Sequence, residues 1–130
     1  MRNKISIIGT VVKGLGEGAF FMSMQHYKEE LKDRLEFIPY PGTLNIKVDK
    51  NQSNLLKKII PIRIYGYKSG NNIFGGASCY KARIKNIDGS VIVPDLTKHK
   101  TSIIEFIATV HLKSKLNIKD GDKVKVELLK

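Results

Sequence analysis

Thr43-Leu44-Asn45-Ile46-Lys47-Val48 alternates polar and apolar residues without a break. That period of two is the signature of a strand with one buried face. Leu44, Ile46 and Val48 point to the core, and Thr43 and Asn45 project together on the other side. The run Pro39-Tyr-Pro-Gly42 stops whatever precedes it and gives the strand a rigid entry.

Reading outward toward the N-terminus, Ser23 is a candidate N-cap for a helix over Met24–Leu35. Tyr27, Leu31 and Leu35 recur at four-residue spacing and form one apolar stripe, with Lys28, Glu29, Lys32 and Asp33 opposite. Gly14-Leu-Gly-Glu-Gly18 is a loop, because three glycines in five residues support neither helix nor strand. Ile5–Val12, apolar and β-branched, reads as a strand.

Toward the C-terminus, Asp49–Asn54 reads as a polar loop. Apolar runs follow at Ile59–Tyr67, Ile73–Ile84 and Val91–Val93, with turns at Lys68–Asn72 and Asp88-Gly89. Ile103–Ala108 reads as a strand and Leu112–Leu116 as a helical turn. Lys123–Leu129 reads as a last strand after Asp120-Gly121. The expected fold is mainly β: a compact barrel of six to eight short strands, one amphipathic helix, short helical turns and long functional loops. The alternation of strands with long helices that a parallel α/β sheet requires is missing.

At 130 residues the chain is expected to form one domain, 1–130, large enough to bury a core without staples. The single Cys79 excludes an internal disulfide and a multi-thiolate metal site. It reads as a small buried hydrophobe and suggests a cytoplasmic protein. Apolar runs are too short to span a membrane, and the N-terminus does not read as a signal peptide. The net charge is +11, and residues 51–100 hold 9 basic and 2 acidic groups. Such a surplus attracts polyanions, whether nucleic acid or nucleotide phosphates.

Three features could carry chemistry. Glycines 14, 16 and 18 would let backbone N–H groups approach phosphate oxygens, with Lys13 beside them. The sequence is not a P-loop, and a flexible hairpin tip is the alternative. Thr43 and Asn45 offer two hard oxygen donors on one strand face, suited to Mg²⁺, or else an ordinary solvent-facing surface. Glu105 is the only charge in Ile103–Ala108. It is either a base that receives a hydroxyl proton or a residue on an exposed edge strand. His26, His99 and His111 lack ligand spacing, and with no Trp and 5 Tyr and 5 Phe a base-stacking platform for nucleic acid is weak.

Gly9-Thr-Val-Val-Lys-Gly-Leu-Gly-Glu-Gly18, Leu35-Glu-Phe-Ile-Pro-Tyr-Pro-Gly-Thr-Leu-Asn45, and Glu105-Phe-Ile-Ala108 with Leu112-Lys113 and Asp120-Gly-Asp122 resemble the archaeal CTP-dependent riboflavin kinases. The resemblance implies a cradle-loop β-barrel that transfers the γ-phosphate of CTP to the 5′-hydroxyl of riboflavin, giving FMN and CDP. It implies nucleotide binding by Val12, Lys13, Gly14, Leu15, Gly16, Glu17 and Gly18. Val110, His111, Leu112 and Lys113 form a second nucleotide-binding stretch. Thr43 and Asn45 become Mg²⁺ ligands, and Thr97 and Glu105 flavin contacts, with Glu105 also the catalytic base. A slot near Tyr40 and Pro41 is a candidate for the flavin ring. Two positions depart from the family pattern: Glu36 stands in place of Gly, and Lys113 in place of an Arg. Little similarity extends over 50–90. At 130 residues the helix-turn-helix domain that some members add is not expected.

The expected partners are CTP/CDP and riboflavin/FMN, with no membrane, no nucleic acid and a monomeric state. A second resemblance runs from Leu116 to Val126, which looks like the terminal hairpin of swapped-hairpin transcription regulators. It makes a DNA-binding barrel the alternative, but leaves GLGEG and PGTLN unexplained.

Overall fold

In a computed structural model the described residues are 5–14, 24–95 and 102–129. Nine strands are present among them: β1 Ile5–Val12, β2 Leu44–Lys47, β3 Ile62–Ile64, β4 Tyr67–Ser69, β5 Asn72–Phe74, β6 Ala77–Ile84, β7 Ile87–Pro94, β8 Ile103–Ala108 and β9 Lys123–Leu128. The helices are α1 Gln25–Leu35, α2 Lys50–Ser53 and α3 Leu112–Leu116, with a 3₁₀ turn at Asn54–Lys58.

The antiparallel order β6-β7-β8-β2-β1-β9 closes on itself, because β9 pairs again with β6 from Ala82↔Leu128 to Ile84↔Val126. Closure removes the exposed edges that an open sheet would leave. The first half of β6 pairs instead with β3, and β4-β5 is a separate hairpin.

Side-chain alternation divides the strands into two layers. Ile7, Val11, Leu44, Ile46, Ile84, Val91, Ile104, Phe106 and Val126 point inward and form the barrel core. On the outer face, Ile64, Ala77, Cys79, Ile92 and Ile107 form a second core beneath Tyr27, Leu31 and Leu35 of α1. Each of those three helix residues is at most 4 % exposed, as the four-residue stripe requires. Cys79 lies in this layer, and burial pushes its thiol up to about 12, which makes it an unreactive packing residue.

Several sequence expectations change. Asp49–Asn54 is not a loop: α2 and the 3₁₀ turn occupy 50–58, and the Gln52 side chain accepts the Ile8 N–H at 3.0 Å. This contact closes the edge of β1 where β2 has ended. Within Ile59–Tyr67 only Ile62–Ile64 and the first residue of β4 are strand. Asp88-Gly89 is not a turn. The β6–β7 turn is Lys85-Asn86, with Lys85 at φ 54°, and Gly89 lies inside β7. A Cβ there would stand 2.1 Å from the Ile107 carbonyl oxygen and 2.7 Å from the Phe106 ring, so glycine provides room rather than a bend. The N-cap of α1 is Met24, and Ser23 lies outside the described residues. The helix ends at Glu36, φ 64°, whose N–H reaches Lys32 O at 3.0 Å. This left-handed C-terminal position favours glycine, and it is where the resemblance expected Gly.

Candidate active site

Strand pairing brings together residues far apart in sequence. Val12 of β1 faces Asn45 of β2, Asn45 faces Glu105 of β8, and Glu105 faces Ile92 of β7. All four lie on the outer face, since their neighbours Val11, Leu44, Ile46, Ile104, Phe106 and Val91 fill the barrel. A polar pair, Asn45 and Glu105, thus sits in a row that continues through Ile92 to Cys79.

Glu105 is 3 % exposed and Asn45 8 %. The edge-strand alternative for Glu105 falls, because β8 is flanked by both β2 and β7. The solvent-facing alternative for Asn45 falls as well. Burying a carboxylate requires partners. The Thr43 hydroxyl donates to Glu105 Oε1 at 3.0 Å. Asn45 Nδ2 turns toward Thr43, 3.4 Å from both its carbonyl oxygen and Oγ1. These are long contacts.

Gly14, the first glycine of the loop, closes over this group. A Cβ on Gly14 would stand 2.2 Å from Asn45 Nδ2, so the absent side chain leaves room for the amide. The structure therefore brings together Thr43, Asn45, Glu105, Val12 and Gly14. Leu15, Gly16, Glu17, Gly18 and Thr97 lie outside the described residues.

Beside the group is a cleft of about 260 Å³ lined by Tyr40–Leu44 on one side and by Ala108 and Val110–Lys113 on the other. The Tyr40 N–H donates to the Ala108 carbonyl at 2.7 Å, strapping the Pro-Tyr-Pro run across the end of β8. The flavin slot expected near Tyr40 and Pro41 and the second nucleotide stretch are opposite walls of this one cleft. The Lys113 ammonium is held by Asp120 at 2.7 Å.

Sequence reading missed Ser114, whose Oγ lies 2.7 Å from His111 Nδ1, and the Tyr40–His111 ring contact. The i, i+3 spacing of His111 and Ser114 at a helix start was the available signal for the first. Another missed contact is the Arg63–Asp95 fork, at 2.9 and 2.6 Å. It joins β3 to the end of β7, and the guanidinium holds the Asp95 carboxyl below the usual carboxylate range.

Among the described residues no cluster of three or more His, Cys, Asp or Glu side chains could hold a metal. Thr43 Oγ1 and Asn45 Oδ1 are hard neutral oxygens with a carboxylate 3.0 Å from one of them. This donor set fits a Mg²⁺ that arrives with phosphate oxygens and water better than one held in an all-protein cage. No helix among the described residues is long and apolar enough to cross a membrane.

The family model named for CTP-dependent riboflavin kinase, described as "Domain of unknown function DUF120", matches residues 11–128. A curated relative named riboflavin kinase, from Methanosarcina mazei, is 41% identical over 129 residues, which cover 97% of this chain and 57% of the relative. Another of that name, from Pyrobaculum aerophilum, is 44% identical over 128 residues, covering 96% of this chain and 61% of the relative. The chain thus spans about three-fifths of the length of these relatives. With the match running from the end of β1 to the end of β9, the chain belongs to the CTP-dependent riboflavin kinase family.

Proposed function

We propose that this chain is a riboflavin kinase that uses CTP and Mg²⁺. The observation that carries the reading is the convergence of Thr43, Asn45 and Glu105, with Gly14 packed over Asn45. In the reaction the riboflavin 5′-oxygen bonds to the γ-phosphorus, the bond from that phosphorus to the β–γ bridging oxygen breaks, and CDP leaves. The hydroxyl proton goes to Glu105. Phosphoryl transfer asks a protein for positioning and charge neutralisation more than for covalent chemistry, and the site's parts divide along that line.

Thr43 and Asn45 would hold the Mg²⁺, which when bound neutralises phosphate charge. The loop that begins at Val12 and runs to Gly18 cradles phosphates. The cleft between Tyr40 and Val110–Lys113 takes the rest of the nucleotide, since its polar wall is that second stretch. The flavin is then placed with its 5′-hydroxyl at Glu105 and with Thr97 as a further contact. Glu105 is fixed by the Thr43 hydroxyl and meets the 5′-hydroxyl there. Burial keeps water from competing with that hydroxyl for the γ-phosphate.

The DNA-binding reading gains no support. The hairpin that suggested it forms the turn and strand that pair with β1 and β6 and close the barrel. The test is incubation with riboflavin, Mg²⁺ and each nucleoside triphosphate in turn, followed by separation of FMN. FMN from CTP alone, or much faster than from the others, is expected. FMN from none of them would overturn the reading.

A further inference from the structure

β6 changes partners halfway along its length. Its first half pairs with β3, up to Ile62↔Cys79, and its second half with β9, from Ala82↔Leu128. The two partners leave a fork at Tyr80 and Lys81. β3 cannot extend across it, because the residue before Ile62 is Pro61, which has no N–H to offer a neighbouring strand. At the fork lies a cavity of about 500 Å³. Cys79 and Lys81, two apart on β6, both line it and place it on the outer face. In the row that leads from Glu105 through Ile92 to Cys79, Ile92 is 2 % exposed. The layer beneath α1 therefore separates this cavity from the site around Glu105.

Its walls are aliphatic, with Ile60, Ile62 and Leu129 among them. Ile60 is 92 % exposed, so a ligand that covers it gains apolar burial. Among the described residues neither an aromatic ring nor a carboxylate lines the cavity, and the charged groups there are Lys58 and Lys81. Both lysines are exposed, and among the described residues neither side chain has a hydrogen bond or an ion pair. A lysine in this setting lays its stem along the apolar wall and keeps its ammonium in water. Apolar walls with a few charged groups to fix orientation are the composition of a small-molecule pocket.

We infer that the fork between β3 and β9 binds an aliphatic carboxylate. Its chain covers Ile60, Ile62 and Leu129, and its carboxylate meets the ammonium groups of Lys58 and Lys81. The two positive charges select an anion, and walls without a ring favour an alkyl chain over a flat aromatic one. The inference is independent of the kinase reading, because it uses none of that site's residues.

The test is calorimetric titration of octanoate, decanoate and dodecanoate into the full chain, below their micelle concentrations and without nucleotide. One saturable site is expected, with affinity rising about three- to fourfold for each added methylene. Lys58→Gln combined with Lys81→Gln should weaken decanoate about three- to tenfold. Lys125→Gln, at an exposed lysine of β9 outside the cavity, should leave it unchanged. Ile60→Asp removes apolar wall and adds a like charge, and should weaken decanoate at least as much as the paired lysine variant. All these positions are exposed, so each variant should keep the denaturant midpoint of wild type. FMN should not displace decanoate. Absence of saturable binding, an affinity that the paired lysine variant and Ile60→Asp leave unchanged, an equal loss in Lys125→Gln, or displacement by FMN would overturn the inference. Failure of the kinase reading appears separately, as absence of FMN in the riboflavin assay.

Discussion

The two faces of β2 and β8 have opposite characters. Inward, Leu44, Ile46, Ile104 and Phe106 form an apolar interior in which every residue is at most 3 % exposed. Outward, on the same two strands, Asn45 and Glu105 are nearly as buried but polar, and Thr43 bonds to Glu105. One face holds the barrel together, and the other is the surface on which the proposed function places the chemistry. Strand alternation separates stability from function by one residue.

The comparison breaks most visibly at Phe106. Phe106→Ala empties the centre of the inner face and should cost about 3–5 kcal/mol, read as a lower denaturant midpoint. A loss below about 1 kcal/mol would mean that the inner face is not what supports the barrel. One position away, Glu105→Gln keeps the shape and the acceptor for Thr43. It should lower kcat by about 10²–10⁴ while the midpoint moves little. A drop below about tenfold would leave Glu105 only positioning the flavin, because a loose phosphoryl-transfer transition state needs little base assistance.

Gly14→Ala sharpens the contrast from the loop side. The added methyl would stand 2.2 Å from Asn45 Nδ2, and the flexible amide must move. Activity at modest Mg²⁺ should fall about tenfold with a near-unchanged midpoint, and an unchanged rate would separate the loop from Asn45. The smallest effect belongs to Asp95. Arg63 lowers its folded pKa, so its contribution is present above the unfolded carboxylate value and is lost as pH falls through the folded one. Both side chains are about two-fifths exposed, so Asp95→Asn should cost less than about 1 kcal/mol at neutral pH. In strong acid the variant and wild type should converge, as denaturation curves at the two pH values would show.

Much of this arrangement was legible in the sequence, and what was missed has physical causes. Alternation told that Thr43 and Asn45 share a face, and the Ile-rich surroundings singled out Glu105. Neither showed that the two meet, because the Thr43–Glu105 bond spans 62 positions and depends on β2 lying beside β8. Asp88-Gly89 reads as a turn because the sequence does not distinguish a glycine that bends the chain from one that makes room for Phe106. α2 was invisible because four polar residues have no periodicity, and a tertiary contact, Gln52 to Ile8, fixes them in place. His111 reads as isolated in the sequence because Tyr40 comes from another segment and Ser114 meets it only when α3 forms its first turn.

The central claim is that the outer face of β2 holds the metal-dependent step. Its most direct test is the rate of FMN formation by Asn45→Ala as Mg²⁺ is raised. Loss of one of two protein oxygens should reduce the rate more than about tenfold at modest Mg²⁺, shift the Mg²⁺ requirement upward, and leave the denaturant midpoint near that of wild type. A wild-type rate at modest Mg²⁺ would contradict the claim and remove Asn45 from the site.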